Sequence, residues 1–483
     1  LLKQSPETIL AKLNSKENLV VLAKDVGVEI GAPIIELKNR LSSKNSDLNS
    51  IIVESRPSRQ YPAGEFAAPL IGFVNAERQP ANGVELFKDI ELKGMDGLLR
   101  GAGNALHDEV IPYDLAAHIP AVPGASLKLT LDAAVQQAVQ VELANAIRDL
   151  RAAGGCAIVM ESRSGAILAM VSLPTTDLNR YFDSANLGKY INSCTSTAYE
   201  PGSVFTMITA AAAMDAGTTT VATLFDDNGS FLVGGYAVKN HNDLAPGTVS
   251  LVDVFRQSMD VEAAKMSVGL GADRYYPYVK QFGIGSKTGI EIAGESPGDM
   301  KTVGDGRWHE SDLGKNAYGQ GISSTPIQMI AAANVLANQG KLMKPYIISE
   351  IRDASGAITR TDPIVLGQVI QPATALSTSR LLDDAVNGNA SSRAIVPGYR
   401  VAGMSGSAPY PIVGLADPKI VIASYMGYLP ADDPRYVILV KLDKPQANDA
   451  NWQAAAPAFS NIAKQVVMIT GLPPDSVRLA PMQ

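Results

Sequence analysis

The stretch from Ser126 to Ser172 constrains the fold more than any other part of the chain. Leu127, Leu129 and Leu131 alternate with polar residues, the period-two pattern of a half-buried strand. Val135, Val139, Leu143 and Ile147 then recur at every fourth position, so a helix follows, and Gly154-Gly155 is expected to stop it. Cys156–Met160 and Ala166–Ser172 are apolar runs joined by the turn Glu161–Gly165, which predicts a β-hairpin. A helix packed beside a hairpin opens an α+β domain with an antiparallel sheet.

Later segments extend that sheet. Strands are predicted at about Arg400–Ala408, Ile420–Leu429 and Tyr436–Leu442, with a last helix over about Gln453–Ile469. Thr325-Pro326-Ile327-Gln328 combines a capping box with Pro at the first helical position, and its helix runs to about Asn338 before Gly340. A helical subdomain is expected between residues 200 and 340, where Tyr199-Glu200-Pro201-Gly202-Ser203 leads into the Ala-rich pattern Met207–Ala216.

The first 123 residues read differently. Ser5-Pro6-Glu7 opens a short helix over Thr8–Leu13, and Gly31–Leu41 forms another amphipathic segment through Ile34, Ile35, Leu37 and Leu41. Residues 51–123 are rich in glycine and are expected to be loop-rich and strand-poor, an irregular accessory domain. The boundary is placed between residues 123 and 124.

At 483 residues the chain is too long for one core, which agrees with two or three domains. With 46% apolar and 18% charged residues it is neither disordered nor fibrous. A net charge of −7, with no dense Lys/Arg run, argues against nucleic acid as a partner. The two cysteines, Cys156 and Cys194, suggest neither a disulfide framework nor a metal-ligand spacing. The four His are scattered, which removes the zinc-hydrolase and Ser-His-Asp readings, and no cofactor is implied. No run of about 18 or more apolar residues exists to span a bilayer. The chain starts at Leu rather than Met, so an anchor or signal is expected upstream of Leu1.

Several segments, in order, resemble the class B penicillin-binding proteins, the membrane-anchored D,D-transpeptidases that cross-link peptidoglycan. Arg59-Gln60-Tyr61-Pro62, Gly64, Ala67-Ala68, Gly72-Phe73-Val74 and Gly83-Val84-Glu85 are similar to the family's pedestal. Leu129-Thr130-Leu131-Asp132, Asn179-Arg180, Tyr199–Ser203, Gly319-Gln320-Gly321-Ile322 and Thr325-Pro326 are similar to landmarks of its catalytic domain. The resemblance implies a β-lactamase-like transpeptidase domain over residues 124–483, an antiparallel sheet flanked by helices plus a helical subdomain, preceded by an irregular pedestal over residues 1–123. It implies an extracytoplasmic location at the cell envelope. The implied partners are a peptidoglycan stem peptide or a β-lactam at the site, and a membrane glycosyltransferase with division or elongation proteins at the pedestal.

The resemblance also locates the chemistry. The family's Ser-x-x-Lys has Ser as nucleophile and Lys one helical turn on, where it can take the serine's proton. Here Ser203 stands and Thr206 replaces the lysine. A threonine hydroxyl is too weak a base for that proton, and losing a general base typically costs about 10²–10⁴ in rate. The Ser-x-Asn match is Ser258-Met259-Asp260, where Asp260 has no amide donor and brings a negative charge. The Lys-Thr/Ser-Gly equivalent is Met404-Ser405-Gly406-Ser407: Met404 replaces the lysine, Ser405 and Ser407 keep hydroxyls for a carboxylate, and Gly406 lets a ligand lie close. Lys287-Thr288-Gly289 is rejected for this role because it precedes an acidic turn. Lys265 is weighed as a stand-in base and read instead as a solvated helix lysine. Three altered positions in an intact frame predict a catalytically impaired homologue that binds or scaffolds. The alternative is an active transpeptidase working through a Ser203 acyl-enzyme.

Overall fold

The computed structural model of the chain describes all residues except 1, 3, 16–18, 24–25, 43–50, 54–57, 104–109, 184–187, 411–419, 447–452 and 481–483. The described chain divides into two compact units, Leu1–Gln60 with Val74–Gln79, and Tyr61–Phe73 with Pro80–Gln483. In the first, helix Pro6–Leu13 is capped by Ser5, whose Oγ accepts from the Thr8 amide at 3.2 Å, and a second helix covers Val28–Ser42.

The second unit is built on five antiparallel strands: β1 (Gly154–Glu161), β2 (Ile167–Leu173), β3 (Ala402–Pro409), β4 (Val421–Leu429) and β5 (Tyr436–Asp443), in the order β3-β4-β5-β1-β2. The helices that matter for the site are α1 (Ala133–Asp149), α2 (Thr206–Asp215), α3 (Leu251–Gln257), α4 (Asp260–Leu270), α5 (Pro326–Ala337), α6 (Pro372–Asn387) and α7 (Ala456–Ile469). Alternation along the strands sends side chains to both faces. Ala157, Val159, Ile438 and Val440 pack with α1 and α7 through Val139, Leu143, Phe459 and Ile462. Cys156, Ile158, Met426 and Leu439 join the larger core, which holds most of the apolar residues of α2, α5 and α6. Because α2 and α5 have no polar face, both sit inside this core: all of α5 and residues Thr206–Ala213 of α2 are buried.

The α+β fold with a preceding N-terminal region is as expected, and the capping box at Thr325 is formed, its Oγ1 accepting from the Gln328 amide. Two local expectations are corrected. α1 ends at Asp149, with Arg151 taking the left-handed turn at φ 46°, so Gly154 and Gly155 already belong to β1. Residues 51–123 are less strand-poor than expected: Leu98–Gly103 pairs with Val110–Ile119. Register shifts around Arg100 and Gly101 break the alternation that would have marked the first of these strands. The expectations for residues 54–57 and 104–109 fall outside the described residues. Among the described residues no helix is long and apolar enough to cross a membrane.

Candidate functional site

Ser203 lies in a single turn of 3₁₀ helix, Gly202–Phe205, that runs without a break into α2. Two glycines let this turn rest on β3. Gly202 has φ +65°, and a Cβ on it would come 2.1 Å from the Ser407 carbonyl oxygen; a Cβ on Gly406 would lie 2.7 Å from the Val204 amide nitrogen.

The segment leading to Ser203 is held by one row of residues across the sheet. The register aligns Gly406, Ser424, Lys441, Cys156 and Ser172 across β3-β4-β5-β1-β2. Ser424 Oγ donates to the Pro201 carbonyl at 3.4 Å. Lys441, almost fully buried, pairs with Asp443 and places its Nζ 5.3 Å from the centre of the Tyr199 ring. Ser172 Oγ lies 2.8 Å from Ser193 Oγ. Cys156 is bonded to Cys194, which corrects the expectation of no disulfide: strand and loop bring together two cysteines 38 residues apart in sequence. Tyr199 adds two backbone hydrogen bonds with Ser324, each 2.9 Å. Sequence reasoning passed over Lys441 and the cysteine pair. For Lys441 the available signal is one charge inside the apolar run Val437–Leu442.

The structure brings Ser203 and Asp260 together. Ser258 closes α3 in the left-handed conformation at φ 57°, Met259 is extended, and Asp260 becomes the first residue of α4. Asn240 Oδ1 accepts from the Val261 amide at 3.1 Å and fixes that helix start. Ser203 Oγ then donates to Asp260 Oδ1 at 3.2 Å. Burial pushes the Asp260 carboxyl up to about 7; the Ser203 hydrogen bond opposes this, and the charge of Glu262 adds to it. Glu262 is itself raised to about 7, first by burial and then by Asp227. Glu200 is also raised by burial, although it accepts from the Gly321 amide at 3.0 Å.

Among the described residues no lysine, arginine or histidine is hydrogen-bonded to Ser203, whose side-chain partner is Asp260. Thr206 is 1% exposed and its hydroxyl has no hydrogen-bond partner. Met404 is buried in the core on the Met426 side of the sheet, the face that Gly406 shares. Ser405 and Ser407 alternate to the other face, opposite Tyr425 and Ala423. Lys265 is partly buried rather than solvated, donating to the Asp226 carbonyl at 2.6 Å and Glu262 Oε1 at 3.4 Å. Lys287-Thr288-Gly289 forms a loop clasped by Glu295, which accepts from the Thr288 amide, the Thr288 hydroxyl and the Gly289 amide at 2.6, 2.5 and 3.0 Å. Among the described residues no cluster of three or more His, Cys, Asp or Glu is arranged to hold a metal ion. Chemically, the centre is a serine hydroxyl bonded to a buried carboxyl.

Comparison with known proteins places the chain. A family model described as the penicillin binding protein transpeptidase domain matches residues 155–464. The chain belongs to the penicillin-binding protein transpeptidase family. It is 30% identical to penicillin-binding protein PbpB of Mycolicibacterium smegmatis over 97% of this chain and 72% of the relative. It is 32% identical to stage V sporulation protein D of Bacillus subtilis, over 89% and 67%. Penicillin-binding protein 3 of Mycobacterium tuberculosis has a solved apo structure that superposes with a TM-score of 0.77 at 29% identity, covering 87% of this chain and 93% of that one. The same protein complexed with aztreonam gives a TM-score of 0.76 with the same identity and coverage. The family fold therefore stands.

Proposed function

We propose that this family member serves peptidoglycan synthesis, in cell division or elongation, as a binding and scaffold component whose transpeptidation is impaired. The observation that carries the reading is that, among the described residues, no cation is bonded to Ser203. Thr206 offers an unpartnered hydroxyl, Met404 is buried in the core, and Lys265 is committed to Asp226 and Glu262. Serine acylation followed by repeated aminolysis needs a group that takes and returns a proton while charge develops on the carbonyl oxygen. A site whose buried groups are carboxyls supports that cycle poorly.

In this reading residues 1–123 are the pedestal, docking a membrane glycosyltransferase and division or elongation proteins. Residues 124–483 are the transpeptidase-like domain, retaining a stem peptide or β-lactam weakly. The protein works outside the cytoplasm at the plasma membrane. Relatives named peptidoglycan D,D-transpeptidase FtsI, among them that of Escherichia coli at 26% identity over 96% of this chain, support the assignment to the cell-wall machinery.

The test is multiple-turnover release of D-Ala and cross-link formation from stem pentapeptides. The chain itself is compared with Thr206→Lys/Asp260→Asn/Met404→Lys, which restores the family residues. The expected result is negligible turnover by the chain and a gain of at least about 10²-fold in the triple variant. Turnover by the unaltered chain at the rate of the triple variant would sink the reading. The second reading, an active transpeptidase, is favoured by one observation, the Ser203–Asp260 hydrogen bond.

A further inference from the structure

We propose that Asp260 is the proton acceptor that activates Ser203, so that the pair forms a serine–carboxylate dyad able to take one acyl group from donors that carry no negative charge near the reacting carbonyl. This deepens the reading above and rests on its assignment of Ser203 as the nucleophile position. It concerns a single acylation, where that reading concerns turnover.

The geometry supplies the contact that a base needs. Ser203 Oγ is the donor and Asp260 Oδ1 the acceptor, 3.2 Å apart, at the long edge of the range from which a catalytic base takes a proton. Neither side chain is free to drift. Ser203 is held in a turn pressed on β3 by Gly202 and Gly406, and Asp260 opens a helix whose start is fixed by Asn240. Burial makes the carboxylate a stronger base than a surface aspartate, and its basicity falls where a base works best at neutral pH.

Among the described residues, the elements around α4 give this carboxyl no positive partner. Its own helix contributes Glu262, and Lys265 on the same helix is bonded to the Asp226 carbonyl and to Glu262. From strand Leu224–Asp227 comes Asp227, which acts on Glu262. Strand Tyr236–Lys239 brings Tyr236, whose ring lies under Lys315 Nζ at 5.3 Å, and Tyr318 follows helix Glu310–Asn316. Helix Ala272–Gln281 brings Tyr275, within hydrogen-bond distance of Thr209 at 3.2 Å, and α3 brings Arg256, paired with Asp253. α2 presents Thr206, which does not titrate.

The step balances within the dyad and the donor. Ser203 Oγ forms a bond to the donor carbonyl carbon as its proton passes to Asp260 Oδ1. The negative charge moves from Asp260 to the carbonyl oxygen, so the tetrahedral intermediate forms beside a neutral acid. When it collapses the bond to the leaving nitrogen of an amide, or the leaving oxygen of an ester, breaks, and that atom takes the proton from Asp260. At rest the carboxylate repels an anionic donor, and among the described residues no lysine offsets it. The donor class is therefore uncharged amides and esters.

Intact-mass spectrometry of the full chain after incubation with benzylpenicillin or its methyl ester, from pH 5.5 to 8.5, tests the dyad. Wild type, Ser203→Ala and Asp260→Asn are compared, the last keeping the shape and acceptor oxygen of the side chain. Circular dichroism checks that each is folded. The expected result is one adduct per chain, absent in Ser203→Ala and formed at least about 10-fold faster from the ester. Its rate rises with pH to a plateau above about 7. In Asp260→Asn the rate falls by about 10² or more and loses that pH dependence. No Ser203 adduct from either probe, an Asp260→Asn rate equal to wild type, or equal rates for acid and ester would each overturn the proposal. Because the readout is a single adduct, its failure is distinct from the turnover result that would sink the scaffold reading.

Discussion

At the scale of single residues, the site is defined by polar groups taken out of water without full compensation. The Thr206 hydroxyl is buried with no partner, a situation that costs a folded protein about 1–3 kcal/mol. Thr206→Val removes the hydroxyl and keeps the branched shape, so it should be neutral to stabilising by about 1 kcal/mol, read from urea denaturation. A loss of stability would mean that the hydroxyl has a partner in solution. Asp260 makes a second, pH-dependent case. Unfolded, its carboxyl titrates near 3.8; folded, it titrates at about 7. Between these values the folded chain holds a proton that the unfolded chain lacks. The stability contributed by this group is therefore complete below pH 3.8 and is lost as pH rises through 7. Asp260→Asn removes the titration. The melting temperature of the variant minus that of wild type should grow by a few degrees from pH 5 to pH 8, checked by scanning calorimetry. A flat difference would mean that the Asp260 carboxyl ionises as it does in water.

At the scale of elements, what was legible in the sequence followed local patterns. The capping box at Thr325, the hairpin joining Cys156–Met160 to Ala166–Ser172, and the three C-terminal strands all rest on short-range periodicity, and all are present. α1 was visible in its apolar stripe, but its end was misplaced because Arg151 makes the turn that Gly154-Gly155 was expected to make. A candidate site at Ser203, Thr206, Asp260 and Met404 was legible from the resemblance to a family frame. That Ser203 would donate to Asp260 was not, because the two are 57 residues apart and meet only where the turn before α2 and the start of α4 are both fixed. The seat of that turn is β3, and it is testable. Gly406→Ala would press a methyl group against the Val204 amide at 2.7 Å, backbone that cannot rotate aside. The variant should lose about 1–3 kcal/mol and shift the amide resonances of residues 202–205. Unchanged stability would show that the turn does not rest on the strand.

At the scale of the molecule, the row Gly406–Ser424–Lys441–Cys156–Ser172 explains how a five-stranded sheet holds Ser203, which lies on none of its strands. Each of its last four members has its own contact with the segment from Ser193 to Ser203: a hydrogen bond to Pro201, a cation over Tyr199, a disulfide to Cys194, and a hydrogen bond to Ser193. Of these the disulfide alone acts on the unfolded chain, closing a loop across a sequence separation of 38. The others act only once the sheet has formed. Replacing both cysteines by alanine should therefore lower stability by about 2–4 kcal/mol, chiefly by freeing the unfolded state, while the remaining contacts keep the path to Ser203 in place. The measurement is paired. Urea denaturation of Cys156→Ala/Cys194→Ala against wild type, with and without dithiothreitol, should show the deficit in the variant and in reduced wild type alike. Amide chemical shifts around Ser203 should move little. Large shifts there would make the cross-link part of the site's geometry, and an undiminished stability would show that the sheet row holds the segment without it.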